Sequence, residues 1–263
     1  MTLEVLDKGQ ATPAHPVPLL FVHGAFHGAW CWDEHFLDFF AARGYRALAL
    51  NLRGHGNSPL TGSLNACSVH DYVDDVRAVA TGLPTAPVVI GHSMGGFVVQ
   101  KYLADFAAPA GVLVASAPPT GTLRATVRIL RQHPVHCAKS RSLRWPLRLF
   151  GMLPMSRVLF FHAGTPDDLV VRYTGQLQDE SLRVLYRDLT FAELAEPHRV
   201  TTPMLVLGAD FDGFFTRKEV EATATAYRTL AEFFPDMGHN MMLECGWESV
   251  ALRIDSWLGQ REL

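Results

Sequence analysis

GHSMGG, residues Gly91 to Gly96, follows the apolar run APVVI (Ala86 to Ile90) and precedes FVVQKYLADF (Phe97 to Phe106), which is apolar almost all round. A buried strand handing over to a helix through a glycine-flanked serine reads in two ways. It is an idle turn, or a turn that pushes Ser93 out of the fold to react. The five residues from Gly91 to Gly95 match G-x-S-x-G in full. A serine on so sharp a turn adopts strained backbone angles, and side chains two residues to either side would collide. Glycine at 91 and 95 removes them, and the helix behind aims N–H groups, beginning with that of Met94, at a developing oxyanion.

Outward from this turn, short apolar runs alternate with stretches of helical period. The runs are Leu19 to Val22, Arg46 to Leu50, Val88 to Ile90, Val112 to Ala115, Met204 to Leu207 and Glu232 to Phe234. Continuous rather than alternating hydrophobicity suits strands covered on both faces, as in a parallel sheet. Between them, Trp30 to Arg43 reads as a helix, and Ser68 with Asp71 opens another that stops at Gly82. Thr216 with Glu219 opens a third, and Trp247, Val250, Ala251, Ile254 and Leu258 stripe a C-terminal one. The order implies an α/β fold with a mostly parallel sheet flanked by helices. From Pro118 to Pro197 no strand is evident, and so long a stretch reads as a helical insertion rather than a loop. The expected division is therefore a core of residues 1–117 and 198–263, with residues 118–197 inserted.

A serine hydroxyl needs a base, and the base an orienting acid. His239 lies between the last strand and the last helix, on a loop at the same sheet edge as Ser93. Asp210 and Asp212 both follow the Met204–Leu207 run; Asp212, farther out on the loop, is preferred as the partner of the imidazole. His92 adjoins the serine but points elsewhere, and His23 reads as structural or pocket-lining. The loop after the first clear strand, FVHGAFHGAW, supplies a second oxyanion donor in the backbone N–H of Ala25, and Phe26, His27 and Trp30 as candidate pocket residues.

The motifs FVHGAFHGAW, LRGHGNSP, VIGHSMGG, VLGADFD and PDMGHNMMLE, in this order, make the chain resemble α/β-hydrolase-fold serine hydrolases over nearly its whole length. The resemblance implies Ser93, Asp212 and His239 as a catalytic triad and Ala25 and Met94 as oxyanion donors. It also makes the 118–197 insertion a lid, placed after the sixth strand of the fold. HGAFHGAWCW is similar to plant methylesterases and hydroxynitrile lyases. Those lyases carry a lysine after the catalytic histidine, where this chain has Asn240. Asn51 replaces the family's more frequent aspartate and bears on a turn.

With 23 basic and 26 acidic residues the net charge is −3, which offers no general attraction to nucleic acid. There is no signal-peptide pattern, no run long enough to span a membrane, and no CxxC pair, so a cytoplasmic location is expected. No cofactor is implied, and HPVHC (His133 to Cys137) is too small a cluster to imply a metal site. Gly121 to Phe160 carries eight basic residues (Arg124, Arg128, Arg131, Lys139, Arg141, Arg144, Arg148, Arg157) and no acidic ones, whereas Phe161 to Glu196 carries seven acidic ones. These halves either pair with each other or leave a basic surface for an anionic or interfacial substrate. The expected activity is hydrolysis of carboxylic esters. The same machinery could serve a lysophospholipase, thioesterase, lactonase or perhydrolase, or a receptor-like ligand-binding protein.

Overall fold

The computed structural model describes residues 2–139 and 150–263. Seven strands form one sheet: β1 (Val5–Lys8), β2 (Leu19–Val22), β3 (Ala47–Leu50), β4 (Val88–His92), β5 (Gly111–Val114), β6 (Met204–Ala209) and β7 (Ala231–Phe234). Their spatial order is β1-β3-β2-β4-β5-β6-β7, antiparallel at β1–β3 and parallel elsewhere. All six expected strands are present, with ends shifted by a residue or two. Nothing in the sequence marks β1, because VLDK is half polar and too short to carry a pattern. It becomes a strand by pairing Val5 with Leu50 and Lys8 with Ala47.

Apolar runs without alternation make sense once both faces are covered. Leu19 and Phe21 face one core, with Trp32, Phe36, Phe40 and Ile254; Leu20 and Val22 face the other, with Tyr72, Val76, Phe97 and Val98. Burial of each large side chain contributes about 1.5–3 kcal/mol before the entropy of ordering is set against it. The first core is closed by α1 (Trp30–Asp33), α2 (Phe36–Ala42) and the C-terminal helix (Trp247–Gly259). The second is closed by α3 (Val69–Thr81), α4 (Met94–Asp105) and the Arg217–Ala226 helix. Both expected capping boxes form, at Ser68/Asp71 and Thr216/Glu219. The expected Trp30–Arg43 helix is instead two, broken at Glu34–His35. His35 leaves helical geometry (φ −145°), and its ring stacks on Trp247 at 4.5 Å, a partner the sequence could not name.

Residues 118–197 carry no strand among the described residues. They hold α5 (Leu123–Gln132), α6 (Pro134–Lys139), α7 (Leu153–Phe160), α8 (Asp167–Thr174) and a π-helical segment, Val184–Ala192. Along this chain the stretch lies between β5 and β6. Arg141, Arg144 and Arg148, and the side chain of Lys139, lie outside the described residues. No helix among the described residues is long and apolar enough to cross a membrane. The strand order reverses its direction of growth between β2 and β4. In open α/β sheets the crevice for ligands opens beyond the carboxyl ends of the strands at such a reversal.

Candidate active site

Ser93 stands at that reversal, between β4 and α4, with φ +52°. A non-glycine residue at this φ stores of order 1–3 kcal/mol of strain and persists only where its surroundings over-determine it. Its surroundings do so. A Cβ at Gly91 would run into the Gly95 carbonyl, and one at Gly95 into the carbonyls of Val22 and His23. The Ser93 N–H donates to Val114 O at 3.2 Å, and Ser93 O accepts from Ala117 N at 3.0 Å. The Met94 N–H, first in α4, donates no hydrogen bond among the described residues. Neither does that of Ala25, one residue past Gly24, whose missing Cβ would sit 3.0 Å from Ser93 Cβ.

His239 and Asp212 are brought together from loops after β7 and β6. His239 Nδ1 lies 2.9 Å from Asp212 Oδ2, and each side chain is 1% exposed. The other carboxylate oxygen, Oδ1, accepts from Phe214 N at 2.7 Å and Phe215 N at 3.0 Å, so the acid cannot rotate away. With a carboxylate on Nδ1, that nitrogen carries the proton and Nε2 is left as the basic one. Asp210 takes no part, since it faces outward and pairs with Arg217 at 2.7 Å. The Ser93 hydroxyl makes no hydrogen bond among the described residues. Such bonds commonly tighten only when substrate binds. Its link to the pair runs through its neighbour: His92 Nε2 donates to His239 O at 3.0 Å, and the two rings lie 4.7 Å apart. His92 therefore holds the backbone of the other histidine, which its position beside the serine did not suggest.

The His239 loop is also tied to the insertion. Asn240 N donates to Phe160 O at 2.8 Å. Buried Glu244 accepts from Gly238 N at 2.9 Å, from His162 N and from the Thr165 hydroxyl. Aromatic rings crowd the imidazole: Phe214 lies at 4.6 Å, Phe215 at 5.5 Å and Phe160 at 6.1 Å. Phe150 continues the cluster, 5.8 Å from Phe214 and 4.9 Å from Phe26. Of the three candidate pocket residues, Phe26 thus joins this cluster. His27 is buried, with Nδ1 2.8 Å from Ala25 O and Nε2 3.1 Å from Asn240 Nδ2, and Trp30 stacks on it at 5.5 Å.

His23 is structural. Its Nδ1 lies 2.9 Å from Gly24 O, and its Nε2 accepts from Leu52 N at 3.2 Å. Asn51 is explained by its partner: Oδ1 accepts from Ala29 N at 2.7 Å, and Nδ2 donates to Glu4 Oε2 at 2.6 Å. An aspartate there would set two carboxylates face to face. Among the insertion's basic residues, Arg157 pairs with Asp167 in its acidic half, but Arg128 reaches Glu219 of the core at 2.9 Å. Exposed Arg124 and Arg131 have no ion-pair partner among the described residues. No cluster of three or more His, Cys, Asp or Glu is arranged to hold a metal ion among the described residues.

Buried histidines set an acid limit on the fold. Burial holds His23 and His92 well below the ordinary 6.5, the first with help from His55 and the second from His239, and burial lowers His27 to about 4. His55 moves the opposite way. Burial lowers it, but the Glu180 carboxylate 3.2 Å away outweighs that. Below pH 6.5 the unfolded chain takes up protons that His23, His27 and His92 refuse in the fold, so their effect is lost stability as pH falls from 6.5 toward 4. For His27 alone this amounts to about 2 kcal/mol by pH 5. His55 contributes stability below 6.5 and loses it as pH rises through its raised value. Three against one, the urea midpoint is expected to fall between pH 7.5 and pH 5. A midpoint that rose over that range would show that these rings are protonated in the fold.

The site marks a hydrolytic type of α/β protein: a strained serine, a buried carboxylate–imidazole pair, and unused N–H groups at one edge of a parallel sheet. Residues 19–251 match the alpha/beta hydrolase family, and the chain belongs to it. It is 40% identical over 114 residues to a non-heme chloroperoxidase of Streptomyces lividans, a match covering 41% of this chain and 39% of that protein. It is 37% identical over 109 residues to a rice (Oryza sativa subsp. indica) protein named as a probable esterase, PIR7A, covering 39% and 40%. These matches thus span about two-fifths of the curated relatives' length. Among solved structures, a thermophilic esterase from Thermogutta terrifontis shares the fold, with TM-score 0.71 and 22% identity over 99% of this chain and 94% of that one.

Proposed function

We propose that this chain is a serine esterase that works through an acyl-enzyme. Ser93 Oγ attacks the ester carbonyl as His239 Nε2 takes its proton, and Asp212 stabilises the imidazolium that forms. The N–H groups of Ala25 and Met94 hold the oxyanion. The protonated His239 gives its proton to the departing alkoxide, then draws one from water as that water attacks the acyl-Ser93 carbonyl, and returns it to Ser93 Oγ as the acyl–oxygen bond breaks and the acid leaves. The observation that carries this reading is the buried Asp212–His239 contact on loops at the same sheet edge as a serine held at φ +52°. Nothing structural requires a carboxylate, an imidazole and a strained serine to meet there.

Residues 118–197 act as the lid in this reading. Phe150 and Phe160 from the insertion, with Phe26 and Phe214 from the core, favour an apolar or aromatic group on the ester. Arg124 and Arg131, which have no ion-pair partner among the described residues, give an anionic substrate a place to arrive. Salt tests this directly: added NaCl is expected to slow turnover of an anionic acyl ester while leaving a neutral one unchanged. An equal response of both esters removes that role. The similarity to a chloroperoxidase supports a second outcome for the same intermediate, attack by hydrogen peroxide in place of water to release a peracid.

The deciding experiment is hydrolysis of p-nitrophenyl esters from acetyl to palmitoyl, with and without peroxide, against Ser93→Ala. Turnover that needs Ser93 supports the esterase. A folded protein inert to every ester, thioester and lactone offered would instead support a receptor-like binding role.

A further inference from the structure

We infer that Gln178, from the insertion, is a positioning residue for the oxyanion loop, so that the insertion sets the rate of chemistry as well as covering the site. The inference rests on the esterase reading above.

Every carbonyl from Gly24 to His27 is accounted for. Gly24 O accepts from His27 N at 3.3 Å, and Ala25 O from the His27 ring at 2.8 Å. The next two are held from outside the loop: Phe26 O accepts from Gln178 N at 2.9 Å, and His27 O from Gln178 Nε2 at 2.9 Å. The third polar group of Gln178, Oε1, accepts from Gly56 N at 3.1 Å, fastening the same residue to the loop after β3. A Cβ at Gly28 would lie 2.9 Å from Gln178 Nε2, so the glycine leaves room for this contact.

Phe26 shows what the contact maintains. It sits at φ +66°, beside the Ala25 N–H assigned to the oxyanion. A phenylalanine keeps that conformation only under outside constraint. Without the Gln178 side chain the His27 carbonyl is released while the backbone N–H of residue 178 still holds Phe26 O; the turn gains freedom on that side, and the direction of the Ala25 N–H changes with it. A donor has to be aimed before the charge develops, so misdirection costs rate rather than substrate affinity. The segment around Gln178 is fastened elsewhere too, by Ser181 Oγ to Cys67 O at 2.7 Å, which does not touch the oxyanion loop. That second fastening supplies the control.

The test compares Gln178→Ala, Gln178→Glu and Ser181→Ala with the full-length wild type on a neutral p-nitrophenyl ester. Gln178→Ala is expected to lower kcat about 10- to 30-fold with KM within about twofold, since one donor is misdirected rather than removed. Affinity for a trifluoromethyl ketone, which mimics the tetrahedral oxyanion, falls by the same factor as kcat/KM. The pH profile stays in place, because His239 and Asp212 are untouched. Gln178→Glu keeps the acceptor for Gly56 N but sets an oxygen against the His27 carbonyl, so it loses at least as much as Gln178→Ala. Ser181→Ala lowers the melting temperature and spares kcat. Unchanged kcat in the Gln178 variants, wild-type behaviour of Gln178→Glu, or the same kcat loss in Ser181→Ala overturns the inference while the esterase reading stands. A wild type that neither turns over esters nor is labelled at Ser93 by a fluorophosphonate overturns both.

Discussion

Ser93→Ala is expected to reduce ester turnover by about 10⁵- to 10⁶-fold, the scale on which loss of a nucleophile acts in serine hydrolases. The residual rate would come from substrate held against the N–H groups of Ala25 and Met94, which the substitution leaves in place. The fold should tolerate the change. The Ser93 hydroxyl makes no hydrogen bond among the described residues, and alanine at φ +52° bears much the same backbone strain as serine. Steady-state turnover, an acyl-enzyme burst and covalent labelling by a fluorophosphonate should therefore vanish together while the melting temperature moves little. Retention of more than a few per cent of wild-type turnover would remove Ser93 from the mechanism.

Asp212→Asn carries the next largest effect, about 10⁴-fold in kcat by analogy with triads whose acid is made an amide. The reason is local. Asp212 Oδ1 is committed to the N–H groups of Phe214 and Phe215, so in the variant the amide nitrogen takes the place of Oδ2 and faces His239. A donor there demands an acceptor at Nδ1. The ring then carries its proton on Nε2, where it cannot take one from Ser93. Asp210→Asn should change kcat by less than about twofold, because it disturbs only a surface pair with Arg217, and such pairs are worth about 0–1 kcal/mol. Measured side by side, comparable losses in the two variants would undo the assignment of the acid.

These two residues also mark how far the sequence could be read. Ser93 was legible because G-x-S-x-G is a local steric requirement: the glycines that admit the serine lie within two residues of it. Asp212 was harder. Asp210 and Asp212 are chemically alike, and position on the loop was the only local reason to choose. What separates them is a turn that buries one beside His239 and leaves the other with Arg217.

Neither the broken helix at His35 nor the strand at Val5–Lys8 is visible in the sequence, for the same reason. Both depend on partners remote in the chain, Trp247 for one and β3 for the other. Gln178, Glu180 and Glu244 gave no signal at all. Polar residues in a helical stretch or a loop read as solvated until the fold shows that Glu180, between β5 and β6, and Glu244, after β7, are buried. Glu180 then faces His55 and accepts from Tyr72 OH at 2.6 Å, while Glu244 anchors the His239 loop.

By itself, the sequence determined what short-range sterics and hydrophobic period control: the parallel sheet, its covering helices, the strained serine turn and the order serine, acid, histidine. Only the tertiary structure decided which carboxylate meets the imidazole, which groups hold the carbonyls of the Gly24–His27 loop, and which polar residues between β5 and β6 turn inward. Those outcomes rest on hydrogen bonds between groups far apart in the chain, some of them more than 100 residues. Such partners are chosen when the core closes, by the high cost of leaving a buried polar group unpaired.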